Sequence, residues 1–270
     1  MNYHFNTSEE KAQFYRLLED KYGLTRVDVC LGSLDTLPET QKAALENDVK
    51  ALRQGVPVQY ITGFEYFCGH KFLVGDGVLI PRPETAELVS FICNKHKEQS
   101  QCRILDIGCG SGAIAVSLKK QLPEANITAC DISEHALHYT CLNASLNDVN
   151  INIQQSDALN LSAADVDAWD VIVSNPPYVC QSEAKDMERH VLEHEPHIAL
   201  FVPDNDPLLF YRSIASYATH ALCHEGMLYF EINERFGHEV SNLLNRLSFT
   251  HVTILKDQFE KDRFVTAVKP

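Results

Sequence analysis

Apolar residues recur along this chain with two different periods, and the change from one to the other divides it. In the first part Phe14, Leu17 and Leu18 repeat at helical spacing behind Ser8, a residue suited to capping, and Pro38 opens a second amphipathic stretch running to about Arg53. From Pro57 the texture changes. Tyr60, Ile61, Phe64, Tyr66 and Phe67 are followed by Phe72, Leu73 and Val74, with Gly69-His70 between the runs, which predicts a β-hairpin within residues 57–76. LIPRPETAELVSFI then joins a rigid Pro-Arg-Pro turn to a helix start and an apolar helical repeat, placing a boundary near residues 75–82.

Beyond Gln101 short apolar runs alternate with helical ones. RILDIG, NITACDIS, INIQQSD and WDVIVSN read as strands, with GAIAVSLKKQ and EHALHYTCLNASLN as helices between the first three. Strands separated by helices pair in parallel through right-handed crossovers, so the expected fold is α/β with a doubly wound sheet. A helix around 208–222, the strand GMLYFEI, a helix near 237–247 and the strands HVTILKD and RFVTAVK complete the pattern. The last two are close enough to form an antiparallel hairpin at the sheet edge. The expected organisation is a small helical unit with its linking hairpin, residues 1–76, and a larger α/β unit, residues 77–270.

Composition narrows the setting. The chain's 270 residues suffice for a substantial core. Its nine cysteines include no C-x-x-C pair, so neither a disulfide scaffold nor a zinc ribbon is indicated and a reducing cytoplasm is the expected location. No stretch approaches the roughly 18 apolar residues of a membrane span, and the first residues lack a basic segment followed by an apolar run. With 23 basic against 37 acidic side chains the net charge is −14, which repels a phosphate backbone and favours a basic protein partner over DNA. The same acidity also serves plain solubility.

Candidate chemistry gathers where strands end. Asp106-Ile-Gly108-Cys109-Gly110-Ser111-Gly112 lies where the first strand of the sheet passes into a helix, and its glycines let a nucleotide-type ligand approach the backbone. Dinucleotide binders share much of this spacing, and tight strand-helix packing also demands glycine. No Gly-Lys-Ser/Thr follows, which excludes a Walker loop. Asp131 ends the second strand, where a carboxylate accepts both hydroxyls of a ribose; Asp157 follows the third, where its side chain or the backbone at Asp157 and Ala158 suits an adenine. A cap or loop role is the alternative for either aspartate. Asn175-Pro176-Pro177-Tyr178 ends the fourth strand, since proline cannot continue a ladder. The carbonyls of Asn175 and Pro176 would orient a planar amide or exocyclic amine, Tyr178 would stack on it, and a backbone carbonyl would fix the Asn175 NH2. A methyl on a sulfonium, as in S-adenosylmethionine, is the matching electrophile because it needs positioning alone and no metal. His190, His194 and His197 do not have the spacing of a zinc motif and are expected in a surface loop, and Cys109 is expected to fill space.

The blocks PVQYITGFEYFCGHKFLV, LIPRPETAELV, LDIGCGSGAIA, VSNPPYV and EHEPHIAL, in that order, resemble the HemK/PrmC family of peptide-chain release factor glutamine N5-methyltransferases, from about Pro57 to the end of the chain. The resemblance implies a class I, Rossmann-like S-adenosylmethionine-dependent methyltransferase domain behind a small helical substrate-binding domain. It implies that Gly108 through Gly112, Asp131, Asp157, Ala158 and Asn175 hold the cofactor. Asn175, Pro176, Pro177 and Tyr178 would hold the substrate, the glutamine of a Gly-Gly-Gln motif in class 1 release factors, whose methylation modulates translation termination. Three departures touch the cofactor side and neighbouring loops: NDPL at Asn205 to Leu208 for a more usual Asp-Gly, EIN at Glu231 to Asn233 for Glu-Ile-Gly, and Ala158 where an aromatic is sometimes found. An adenine-N6 methyltransferase of DNA or RNA is the competing reading, because Asn-Pro-Pro-Tyr also suits a flipped base; it would call for a basic groove.

Overall fold

A computed structural model describes residues 3, 5 and 7–270. The first part is helical: α1 (Ser8–Tyr22), α2 (Arg26–Cys30), α3 (Ser33–Thr36), α4 (Glu39–Arg53) and α5 (Val58–Thr62). The cap of α1 is Thr7, whose hydroxyl accepts from the Glu10 amide at 3.0 Å, and the expected cap Ser8 is the first helical residue. Phe14, Leu17 and Leu18 bury their stripe against Leu34, Leu45, Val49, Leu52 and Val58, a core of their own.

Two corrections concern the hairpin. Tyr60 and Ile61 belong to α5, because Pro57 needs no N–H ahead of a first helical turn and Gly63, at φ +83°, closes the helix in the left-handed region. The strands are therefore β1 (Phe64–Phe67) and β2 (His70–Leu73), in register Phe64 to Leu73 and Phe67 to His70. The turn is Cys68-Gly69, both at positive φ (48° and 77°), as a two-residue mirror-image turn requires, so His70 opens the second strand. Phe67 and Phe72 sink into the core of the large sheet. The backbone of β2 is held by α8 (Glu134–Leu146) and its C-cap: the Asn143 amide bonds both the N–H (2.6 Å) and the carbonyl (3.0 Å) of Leu73, and Asn147 donates to Lys71 O at 3.0 Å. Packing thus ties the hairpin to the sheet, while an Arg16–Glu65 pair at 2.6 Å joins it to α1.

The rest follows as α6 (Pro83–His96), β3 (Arg103–Ile107), α7 (Ala113–Gln121), β4 (Asn126–Asp131), α8, β5 (Asn152–Gln155), β6 (Trp169–Ser174), β7 (Val179–Cys180), a 3-10 turn (Gln181–Asp186), α9 (Arg189–His194), α10 (His197–Leu200), β8 (Phe201–Val202), α11 (Leu209–Ala221), β9 (Leu222–Glu231), α12 (Gly237–Arg246), β10 (Thr250–Lys256) and β11 (Asp262–Val268). The seven-stranded sheet has the order β10-β11-β9-β6-β3-β4-β5. Strands β3, β4, β5, β6 and β9 run parallel; β11 is antiparallel to β9, and β10 to β11. Alternate residues of each central strand serve opposite layers. Ile104, Val171 and Val173 pack with α6 and α7, whereas Leu105, Ile107 and Ile172 pack with α11 and α12. β3 pairs with β4 on one side and β6 on the other, so the chain reverses its direction across the sheet there, the place where open α/β sheets leave a crevice.

Candidate active site

That crevice is a cleft of about 380 Å³ at the carboxyl ends of β3, β4, β5 and β6. Its walls bring together Gly108, Cys109, Gly110, Ser111, Asp131, Asp157, Ala158, Asn175, Pro176 and Pro177, drawn from four separate strand ends. Gly112 and Tyr178 are not part of its lining.

The glycine loop explains itself residue by residue. Gly108, Gly110 and Gly112 have φ of 74°, 56° and 77°, a region that L side chains rarely adopt. A Cβ on Gly108 or Gly110 would meet nothing within 4 Å, so these two leave a cradle open toward the cleft. A Cβ on Gly112 would lie 2.9 Å from Thr140 Cγ2, so this glycine serves the close approach of α7 and α8. Cys109 is buried, its sulfur 3.4 Å from the Thr140 hydroxyl, and burial drives its thiol well above the ordinary range, in keeping with a space-filling role.

Asp131 braces this loop. One carboxylate oxygen accepts from Gly110 N–H and the other from Ser133 N–H, both at 2.9 Å, and burial raises its pKa against those stabilising bonds. Each oxygen keeps a second lone pair for a ribose hydroxyl. Asp157 spends its carboxylate on its own turn, accepting from Leu159 N at 2.8 Å and Asn160 Nδ2 at 2.6 Å, so it offers the cleft mainly the shape of that turn. Ala158 lines the cleft with its carbonyl tied to Ser213 at 2.7 Å, and Ile132 and Leu159 add apolar wall. Beneath the loop, Asp106 is fully buried. One oxygen accepts from Ala115 N at 3.1 Å, the other has no partner among the described residues, and burial pushes the carboxyl up to about 7. The open glycine cradle, the ribose-directed carboxylate and the apolar wall beside Ala158 fit S-adenosylmethionine.

At the end of β6 the Asn175 NH2 donates to the Thr85 hydroxyl at 3.2 Å, where a backbone carbonyl was expected. Thr85 in turn donates to Glu231 Oε2 at 2.7 Å. Tyr178 is held at the tip by partners from β9 and the residues after it. Its hydroxyl turns toward Glu231 Oε1 at 3.3 Å, its side chain packs against the core layer of α11 and α12, and its carbonyl is held by Asn233 at 3.2 Å. The buried carboxylate and the Asn233 amide hold the tyrosine at the tip, and it is not part of the cleft lining. Burial pushes Glu231 up to about 7.

Sequence reasoning passed over Thr85, Glu231, Arg82 and Glu195. Glu195 is buried, pairs with Arg82 at 2.6 Å and accepts from Ile80 N at 3.2 Å, so it clamps the EHEPH segment onto the LIPRPET turn at the cleft's rim. An acidic residue ending an otherwise apolar strand was the visible signal for Glu231; Thr85 carried none beyond its place at a helix start. The histidines of HVLEHEPH lie on short helices and not in a loop: His190 and His194 are half-buried on α9, and Pro196 separates them from His197 at the start of α10. Among the described residues no group of three or more His, Cys, Asp or Glu side chains is arranged to hold a metal ion. Of the departures, Asn233 holds Tyr178 and Glu183, Asp206 pairs with Arg212, and Ala158 is in the cleft wall.

Two family models match this chain, the PrmC N-terminal domain over residues 5–63 and the methyltransferase small domain over residues 85–197. A release factor glutamine methyltransferase from Bacteroides thetaiotaomicron is 42% identical over 96% of this chain and 92% of its own length. Proteins of the same name from Flavobacterium psychrophilum (44%; 97% and 92%) and Bacillus subtilis (35%; 96% and 91%) match to the same extent. The central sheet and its cleft are therefore those of an S-adenosylmethionine-dependent methyltransferase, and the chain belongs to the release factor glutamine methyltransferase family.

Proposed function

We propose that this protein methylates the side-chain amide nitrogen (N5) of a glutamine in class 1 peptide-chain release factors, that of the Gly-Gly-Gln motif, and so modulates translation termination. The observation that carries the reading is an amide, Asn175, whose orientation is set by Thr85 and which shares one cleft with the glycine cradle and Asp131. When bound, S-adenosylmethionine supplies a methyl on a positively charged sulfur. Gly108 and Gly110 leave room for it, Asp131 accepts from its ribose, and the wall at Ile132, Ala158 and Leu159 receives its base.

An amide nitrogen is a poor nucleophile because its lone pair is delocalised into the carbonyl. The Asn175 Oδ1 and the Pro176 carbonyl accept the two N–H bonds of the glutamine amide, hold its plane, and stabilise the positive charge that develops as the lone pair is drawn out. Pro176 and Pro177 make that geometry stiff. Tyr178 supports the tip through its hydrogen bond to Glu231. Residues 1–76 are proposed to dock the release factor, and the net charge of −14 attracts a basic face around its glutamine. The test is labelled methyl transfer to a purified release factor, to its variant with the glutamine replaced, and to DNA in parallel. Incorporation into the first alone is expected; comparable incorporation into DNA overturns the reading in favour of adenine methylation.

A further inference from the structure

We infer that Thr85 and Glu231 are positioning residues for the transfer: Glu231 takes the single proton of the Thr85 hydroxyl, which obliges that hydroxyl to accept from Asn175 and fixes which edge of the Asn175 amide faces the cleft. The inference rests on the methyl-transfer reading above. A carboxamide presents an acceptor on one edge and a donor on the other, and rotation by half a turn exchanges them with little change of shape. Only the acceptor edge suits a substrate that brings N–H groups.

The direction of the chain is decided at its buried end. Thr85 and Glu231 are 5% and 1% exposed, so neither exchanges its partner for water. An ionised Glu231 has acceptors only, and it receives Thr85 at Oε2 (2.7 Å) and Tyr178 at Oε1 (3.3 Å). With its proton committed, Thr85 Oγ1 accepts the Asn175 Nδ2–H at 3.2 Å, and Asn175 Oδ1 is left for the cleft. If Glu231 binds a proton at Oε2, that proton is donated to Thr85 Oγ1. The Thr85 proton then turns to Asn175, whose amide must rotate to accept it and would present NH2 to the substrate's own N–H groups. Thr85, on α6, reaches the cleft wall beside Asn175, whereas Glu231, at the end of β9, is not part of that wall and acts through Thr85.

The groups facing Glu231 come from every neighbouring element. Arg263 on β11 favours its charge, Glu84 on α6 opposes it, Tyr178 donates to it, and the Tyr211 hydroxyl from α11 donates to its backbone carbonyl at 3.1 Å. Burial outweighs these and lifts the carboxyl to about 7, so the orienting form is gained as pH rises through that value.

The experiment uses the full chain with a purified class 1 release factor and S-adenosylmethionine between pH 5.5 and 9. Thr85→Val, which keeps shape and loses the hydroxyl, should lower kcat by about 10- to 100-fold with both KM values and the calorimetric cofactor affinity within about threefold. Thr85→Ser should recover most of the loss. The wild-type kcat should rise with pH through about 7, and this rise should be absent in Thr85→Val and Glu231→Gln. A second readout needs no turnover: the Asn175 side-chain amide signals, assigned by their absence in Asn175→Ala, should shift with pH through the same midpoint in the wild type and not in Glu231→Gln. Wild-type kcat and pH profile in Thr85→Val, or Asn175 signals indifferent to pH in the wild type, would overturn the inference. If the wild-type protein methylates no release factor, the proposed function fails and the amide titration still decides the positioning.

Discussion

Asn175 carries two duties on a single acceptor, which orients the nucleophile and meets its developing charge. Asn175→Ala should lower kcat by about 10² to 10³, the usual size for one preorganised contact made in the transition state, with cofactor affinity little changed. Near-normal kcat with lost cofactor binding would reduce the Asn-Pro-Pro-Tyr tip to a structural turn. Asp131 has two duties, bracing Gly110 and Ser133 and accepting from a ribose. Asp131→Ala should therefore weaken S-adenosylmethionine by about 1.5 to 3 kcal/mol in calorimetry, and the wild-type affinity should fall as acid protonates this raised carboxyl. Gly108, Gly110, Asp131 and Asn175 were legible in the sequence because each stands where a strand visibly ends. Thr85 and Glu231 were not, since their bond joins residues 146 apart and no local pattern announces it. Tyr178 was legible as part of a rigid tip, but the side to which its ring turns depends on Glu231 and Asn233, which only the folded sheet brings near.

Among elements, the loop between β3 and α7 separates two uses of glycine. Gly108→Ala carries the strain of a left-handed alanine, about 1 to 2 kcal/mol, and places its methyl in the cleft, so cofactor affinity should fall with stability only modestly reduced. Gly112→Ala adds to the same strain a clash with Thr140, including its Cα at 3.2 Å, so urea unfolding should show the larger loss, about 2 to 4 kcal/mol. Equal losses in the two variants would contradict this division. The strand-helix alternation after Gln101 was readable because buried parallel strands are short apolar runs between helical repeats. The hairpin was readable in kind but not in extent. Tyr60 and Ile61 have strand-like side chains, yet Pro57 and Gly63 frame them as one helical turn, and that backbone punctuation prevails over propensity. The pair β7–β8 left no trace in the pattern, being two residues per strand.

For the molecule as a whole, stability and pH are linked through its buried carboxyls. Asp106 and Glu231 have folded pKa values raised from 3.8 and 4.5 to about 7, so the folded state binds their protons more tightly than the unfolded chain. Their contribution is complete below the ordinary carboxyl values and is lost as pH rises toward 7. Asp170 and Asp257, held low by Arg103 and Arg263 and by backbone amides, act in the opposite sense and lose their contribution in acid. Calorimetric Tm should thus peak near pH 4, close to the ordinary carboxyl values, and fall by about 5 to 10 °C toward pH 8, with Asp106→Asn flattening the alkaline limb. A Tm that rises steadily to pH 8 would contradict this balance. The sheet order carries a different consequence. β11 lies between β9 and β10, although it follows β10 in sequence. A nascent chain that has reached residue 256 has made the outermost strand but not the one that attaches it. Until residues 262–268 arrive, β9 offers a long row of unsatisfied backbone groups, a template on which a second unfinished chain can pair. Premature truncation within the last strand should therefore yield aggregates instead of a slightly smaller enzyme.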